Sequence, residues 1–321
     1  MNNAIIMEEI YKTIKHFGKV KIDEPLQKHT TFKIGGNAKI FITVEKVDAV
    51  IELLQYLDEK GVAYMIFGGG SNMLVADEGF DGVVVKISDK THTVVGNHIT
   101  SAAGMTTVGL ARVTIDEGLT GFEWGVGVPG SIGGAVRGNA GATGGEMKDI
   151  VESVEVYRNG EVSTIKKEDI AFQYRDTIFK HNSDVILRVT ITLEKGENAT
   201  GLKQAMEYLA YRNSTQPQGH ASTGCIFKNH EVKDDRHDAL KDLGVPEEFL
   251  KNKKIPAGWL VEKVGLKGKE IGGAKVSERH GNFIVNTGNA RAEDVEKLID
   301  EIKQKVYDTY SISLEEEIQR V

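Results

Sequence analysis

Ile6, Ile10, Ile14 and Phe17 recur at helical spacing, so the first segment is predicted to be an amphipathic helix. Residues 39–44 (Lys-Ile-Phe-Ile-Thr-Val) read as a strand, and Val47, Val50, Ile51, Leu54 and Leu57 mark a second helix. Residues 64–67 form a short apolar strand running into Gly68-Gly69-Gly70-Ser71-Asn72, and residues 83–87 form another. Together these predict a small βαββ-type unit over residues 1–88. From Thr93 to about Glu197 the signal is mainly strand. Val185, Leu187, Val189, Ile191 and Leu193 alternate with mostly polar neighbours, the pattern of a half-buried antiparallel strand. Residues 154–158 and 161–166 flank Asn159-Gly160, a strong hairpin signal. Residues 107–117 are the helical exception. Helices are predicted again over 201–213, 257–264 and 292–310, the last with a stripe of Val295, Leu298, Ile299, Ile302 and Val306. A final strand is predicted over 311–318. No internal repeat or low-complexity segment interrupts this pattern, which predicts a three-part α+β architecture: 1–88, 89–207 and 208–310. The C-terminal strand, 311–321, is expected to return to the first part.

Composition narrows the class of function. The 321 residues are 40% hydrophobic and 27% charged, ordinary for a globular protein and too many for one core. Forty basic against 47 acidic residues give a net charge of −7, which argues against general binding to nucleic acid or an anionic membrane. An anionic ligand must therefore be met by a local cluster of donors. A single cysteine, Cys225, excludes an intrachain disulfide and points to a reducing compartment. The N-terminus lacks the basic start and long apolar core of a signal peptide, and no apolar run reaches bilayer length. A cytoplasmic monomer is expected.

Candidate chemistry begins with glycine. Between Trp124 and Asp149 glycine stands at 125, 127, 130, 133, 134, 138, 141, 144 and 145, interleaved with Val126, Val128, Ile132, Ala135, Val136 and Ala140. A flexible linker would lack that apolar content. Consecutive peptide N–H groups in glycine-rich turns form anion-binding nests, so the segment reads as a loop cradling a phosphate-bearing ligand. Gly125–Gly130 formally matches G-x-G-x-x-G, but the dinucleotide-fold fingerprint needs a preceding strand and an immediate helix. Here Pro129 is followed by more glycines, which are predicted not to sustain a helix. Gly68–Asn72 is a second such loop, with more glycine than a tight turn needs. Two loops suit an extended diphosphate, as in a dinucleotide.

Three further runs are open to two readings each. Tyr174-Arg175-Asp176 suits a surface ion pair as readily as a site. Residues 29–36 suit a strand and turn or a first cofactor contact. In Ser222–Asn229, Cys225 is either a small buried hydrophobe or a thiol placed to act as an acid. The nine histidines show no metal-ligand spacing, and neither a G-x-S-x-G elbow nor a Walker A run is present. No metal is expected.

Taken together and in order, HTTFKIGGNA (29–38), GGGSNMLV (68–75), GFEWGVGVPGSIGGAVRGNAGATGGEM (121–147), YRDTIF (174–179), STGCIFKN (222–229), AGWLVEKVGLKG (257–268) and HGNFIVN (280–286) resemble the UDP-N-acetylenolpyruvoylglucosamine reductase family, in its shorter form. The resemblance covers nearly the whole chain. It implies a two-part FAD-binding module of the vanillyl-alcohol-oxidase type plus a C-terminal α+β substrate domain. It implies FAD, with the diphosphate on Gly68, Gly69, Gly70, Ser71 and Asn72 and on Gly125, Gly127, Gly130, Ser131, Gly133 and Gly134. It also implies NADPH as reductant and UDP-N-acetylglucosamine enolpyruvate as substrate, reduced to UDP-N-acetylmuramate for peptidoglycan. Arg175 would bind the carboxylate and stabilise developing charge. Cys225 stands where the family places its proton donor, often a serine, and Glu317 matches its C-terminal glutamate. Tyr174, Arg212 and Asn229 would contact substrate, Asn229 at a phosphate. Glu316 and His230 stand where proline is common. Two other readings are an FAD oxidase of a small alcohol or hydroxy acid, and a non-catalytic nucleotide-sugar binder. The first has no need of a protonation set.

Overall fold

The computed structural model describes residues 3–321, with side chains from residue 7; the Ile6 position of the first apolar stripe lies outside the described side chains. The chain forms two compact units. One comprises residues up to Glu24, Asn37–Gly70 and Phe80–Arg212; the other comprises Pro25–Gly36, Ser71–Gly79 and Asn213–Val321. These bounds differ from the expected divisions at 88 and 207. Both sheets of the first two expected parts lie in the first unit, and two early segments belong to the second.

In the first unit, a four-stranded sheet runs in the order Lys19–Pro25, Asn37–Val44, Phe80–Ile87, Tyr64–Phe67. The last three are parallel. Helix Val47–Glu59 buries Val47, Val50, Leu53, Leu54 and Leu57 against Ile40, Ile42, Val83 and Val85. Strand Lys19–Pro25 was not anticipated, because its charged and exposed edge carries little apolar signal. A five-stranded antiparallel sheet follows, in the order Glu161–Lys166, Val151–Arg158, Val185–Thr192, His98–Ala102, His92–Val95. The predicted hairpin closes between Arg158 and Glu161, with Asn159 at φ 50° and Gly160 at φ 88°.

One expectation is overturned here. The glycines after Pro129 do sustain a helix, Ile132–Arg137, six residues long. Ser131 caps it by accepting from the Gly134 N–H, and Ile132 and Val136 are fully buried in the core formed with Ile99, Leu110 and Val189. Glycine costs about 1 kcal/mol per helical position, and a cap with tertiary packing can offset that over one or two turns. The preceding element is the 3₁₀ turn Glu123–Gly127, not a strand, so the dinucleotide-fold reading of Gly125–Gly130 still fails.

In the second unit, an antiparallel sheet runs Ala221–Cys225, Phe283–Asn286, Ala274–Val276, Glu270–Ile271. Helix Ala292–Tyr310 buries its predicted stripe against it. The early segments are bound in by side chains. Asp77 accepts from the Ala292 and Glu293 N–H groups at 3.0 and 3.2 Å, and Asn286 Nδ2 donates to the Phe32 carbonyl at 3.1 Å. The predicted strand over 311–318 is corrected: the strand is Gln319–Arg320, parallel to Met73–Leu74. Residues 315–317 instead bond to the chain just after Cys225, and that contact sets their path.

Candidate active site

Two glycine loops of the first unit touch. A Cβ on Gly69 would lie 2.5 Å from Gly130 Cα, and one on Gly68 would lie 2.4 Å from Ser131 Oγ. Gly70 sits at φ 60°, in the left-handed region. The N–H groups of Gly68, Gly69 and Gly70 have no acceptor among the described residues. Three consecutive peptide donors on a backbone without side chains suit a diphosphate, so this cradle fits FAD. The second loop is used differently from the expectation. Gly125 donates to the Phe122 carbonyl at 3.0 Å, and Gly127 lies in the same 3₁₀ turn. The Ile132 and Gly133 N–H groups go to the Met105 and Ala103 carbonyls, and Gly134 to Ser131 Oγ. Gly133 and Gly134 thus serve packing and capping rather than donating outward. Gly69→Ala is expected to weaken FAD retention about tenfold or more, since overpacking costs about 1–3 kcal/mol. Flavin absorbance after gel filtration checks this, and a fully yellow variant would refute the close approach.

Arg175 sits on a two-residue turn. Gln173 and Asp176 exchange N–H···O bonds of 3.0 and 3.2 Å around Tyr174 and Arg175, and Arg175 adopts φ 56°. A non-glycine residue there is uncommon. Its Nη2 donates to the Gly141 carbonyl at 2.9 Å, and its guanidinium carbon lies 5.6 Å from the centre of the Tyr174 ring. That bond anchors the guanidinium to the glycine-rich segment. Asp176 is engaged by the His181 ring at 2.8 Å. Burial alone would raise the Asp176 carboxyl, but His181, the Thr177 N–H and Lys180 hold it below the usual carboxylate range. Asn139, fully buried at φ 41°, fastens this turn to the glycine-rich segment. Its Nδ2 donates to the Gln173 carbonyl at 2.8 Å and to Glu146 Oε2 at 2.6 Å, while its Oδ1 accepts from the Lys148 N–H at 3.0 Å. Arg212, on helix Asn198–Thr215, reaches the second glycine loop: its Cδ is 3.4 Å from where a Gly127 Cβ would stand.

Cys225, half-buried, ends strand Ala221–Cys225 in the second unit. Asn282 clamps the chain beyond it: Oδ1 accepts from the Phe227 N–H at 2.9 Å, and Nδ2 donates to the Phe227 carbonyl at 2.8 Å. The Glu317 N–H donates to the Ile226 carbonyl at 2.8 Å, bringing Glu317 beside the residue after Cys225. The three glutamates divide their tasks. Glu315 pairs with Lys228 at 2.5 Å, and Glu316 pairs with Lys303 and with Arg320 at 2.8 Å. Burial would raise the Glu316 carboxyl, but these two cations hold it low. Asn229 spends its Oδ1 on the Ala257 N–H at 3.1 Å, at the start of helix Ala257–Lys263. Its Nδ2 has no acceptor among the described residues, and an amide N–H suits a phosphate. Arg175, Tyr174, Arg212 and Gly68–Gly70 thus belong to the first unit; Ser71, Asn72, Cys225, Asn229 and Glu317 belong to the second. Asn139 and Asn282 were not singled out from sequence. An asparagine beside glycine resembles a turn residue until its buried amide is seen bonding on both sides. Among the described residues, no cluster of three metal-ligating side chains forms, and no helix is long and apolar enough to cross a membrane.

A glycine cradle that fits a diphosphate, on an α+β frame, with a separate unit carrying a thiol and a glutamate, suits a flavin-dependent oxidoreductase, and the comparisons with known proteins show that class. Residues 38–166 match the FAD binding domain family, and residues 216–321 match the C-terminal domain family of UDP-N-acetylenolpyruvoylglucosamine reductase. The chain is 39% identical to the reductase of that name from Caldanaerobacter subterraneus subsp. tengcongensis, over 99% of both chains. It is 37% identical to that of Bacillus subtilis, over 98% of both. The crystal structure of UDP-N-acetylenolpyruvylglucosamine reductase from Thermus caldophilus superposes with a TM-score of 0.74 at 32% identity, covering 94% of this chain and 98% of that one. The chain belongs to the UDP-N-acetylenolpyruvoylglucosamine reductase family and is an FAD-dependent enzyme.

Proposed function

We propose that this enzyme reduces the enolpyruvyl ether of UDP-N-acetylglucosamine to UDP-N-acetylmuramate with electrons from NADPH, supplying peptidoglycan precursors in the cytoplasm. Bound FAD would supply the chemistry of hydride transfer, taking two electrons from NADPH and passing them to the terminal enol carbon. Gly68–Asn72 would hold its diphosphate, with Gly130 and Ser131 against the same loop. Arg175 would grip the substrate carboxylate, into which the negative charge left by hydride addition delocalises. A fixed guanidinium fork suits that planar group. Cys225 would deliver the proton to the adjacent carbon, and Glu317 would orient the thiol or the reacting group. Asn229 Nδ2 would donate to a substrate phosphate, with Tyr174 and Arg212 as further substrate contacts.

The observation that supports the reading is the bond from the Glu317 N–H to the Ile226 carbonyl, which brings the backbone of Glu317 to the residue that follows Cys225. An oxidase of small alcohols would have no proton to deliver and no need of that pair. Purified protein is expected to be yellow, to bleach anaerobically with NADPH, and to recolour on adding the enolpyruvyl substrate. A protein that takes up no FAD, or that recolours only with oxygen, contradicts the proposal.

A further inference from the structure

The last two residues of the loop Gly68–Asn72 are bonded to the segments that carry Cys225 and Glu317. Thr223 Oγ1 donates to the Ser71 carbonyl at 3.0 Å. Asn72 Nδ2 donates to the Glu317 carbonyl at 3.0 Å, and the Asn72 carbonyl accepts from the Gln319 N–H at 3.0 Å. The Thr223 bond falls where its own ladder is irregular. Strand Ala221–Cys225 pairs with Phe283–Asn286 at Ala221, Ser222 and Cys225, with a register shift between Ser222 and Cys225. Thr223 and Gly224 lie inside that irregularity, and Gly224 adopts φ 84°. A bulge releases the ladder and re-aims the residues that follow. Thr223, only 3% exposed, must place its hydroxyl on an acceptor, and the Ser71 carbonyl is the one it uses.

We propose that Thr223 and Asn72 are positioning residues for proton delivery: Thr223 fixes the exit of the chain toward Cys225, and Asn72 fixes the backbone of Glu317. The proposal rests on the reductase reading given above. Neither residue exchanges a proton with substrate in this scheme. Their hydrogen bonds set where the thiol and carboxylate stand, and misplacement by a fraction of an ångström slows proton transfer steeply.

Stopped-flow spectroscopy on the FAD-loaded enzyme separates the two half-reactions. Thr223→Val keeps the β-branched shape and removes the donor. It is expected to slow recolouring by the enolpyruvyl substrate about tenfold or more, while bleaching by NADPH proceeds at the wild-type rate. Thr223→Ser, which restores the hydroxyl, is expected to recover most of the lost rate. Thr223→Val recolouring at the wild-type rate, or slowing both half-reactions equally, overturns the proposal. Should Thr223→Val lose its flavin, Thr223→Ala repeats the test without the γ-methyls; loss of flavin in both makes the role purely structural and also overturns it. A wild-type enzyme that neither bleaches nor recolours refutes the reductase reading instead.

Discussion

Cys225→Ala is expected to leave the enzyme able to be bleached by NADPH and unable to be recoloured by its substrate. Reduction by NADPH asks nothing of a thiol. In the proposed scheme the second half-reaction adds a hydride to one carbon and a proton to its neighbour, and only the proton would depend on Cys225. General acids contribute about 10²–10⁴-fold to such steps, so recolouring should slow by at least about two orders of magnitude. Cys225→Ser retains a donor of similar reach and should fall between the two. Anaerobic stopped-flow absorbance reads both phases in one experiment. If Cys225→Ala recolours at the wild-type rate, the proton comes from elsewhere, and Glu317, whose N–H bonds the Ile226 carbonyl, becomes the first candidate. If bleaching fails as well, Cys225 has a structural part that its half-buried place on the strand does not suggest.

Most of the frame was legible in the sequence, for reasons that differ by element. Helix Ala292–Tyr310 was readable because its stripe at 295, 298, 299, 302 and 306 repeats at helical period, and all five residues are buried. The hairpin was readable because Asn159-Gly160 has one common use. Helix Ile132–Arg137 was not, since its glycines argue against it locally and only Ser131 and the core around Ile132 and Val136 argue for it. Strand Gln319–Arg320 was misplaced for a similar reason. Its pairing with Met73–Leu74 spans 246 residues, and nothing in its own pattern records the partner. In the candidate site, the proposed chemistry-bearing residues are singled out by the motifs that carry the family resemblance. The groups that hold them, Asn139, Thr223 and Asn282, act through hydrogen bonds to main-chain atoms distant in sequence. Backbone partners leave no residue-type signal to read.

Arg175 carries the second large effect, and its backbone permits a clean separation of chemistry from folding. At φ 56° the residue occupies a region that costs an L-amino acid about 1–2 kcal/mol and that glycine enters without steric strain, at an entropic cost of about 0.5–1 kcal/mol. Arg175→Gly should therefore fold about as stably as the wild type, the relieved strain offsetting glycine's entropy and the lost bond from Nη2 to the Gly141 carbonyl. Its turnover should nevertheless fall by about 10²–10³-fold, the usual loss when one preorganised charge-stabilising donor is removed. Binding of the enolpyruvyl substrate should weaken in parallel, because the carboxylate loses its cation in both ground and transition states. Arg175→Lys should recover little. A lysine ammonium is a point charge without the planar fork, and it cannot span a carboxylate while also reaching Gly141. Thermal melts of the FAD-loaded variants, run beside steady-state kinetics, decide the matter. A stable Arg175→Gly enzyme with near-normal turnover would remove Arg175 from the mechanism. A destabilised and inactive one would mean that the turn, held by Asn139 at the Gln173 carbonyl, depends on the guanidinium for its shape rather than lending it to the substrate.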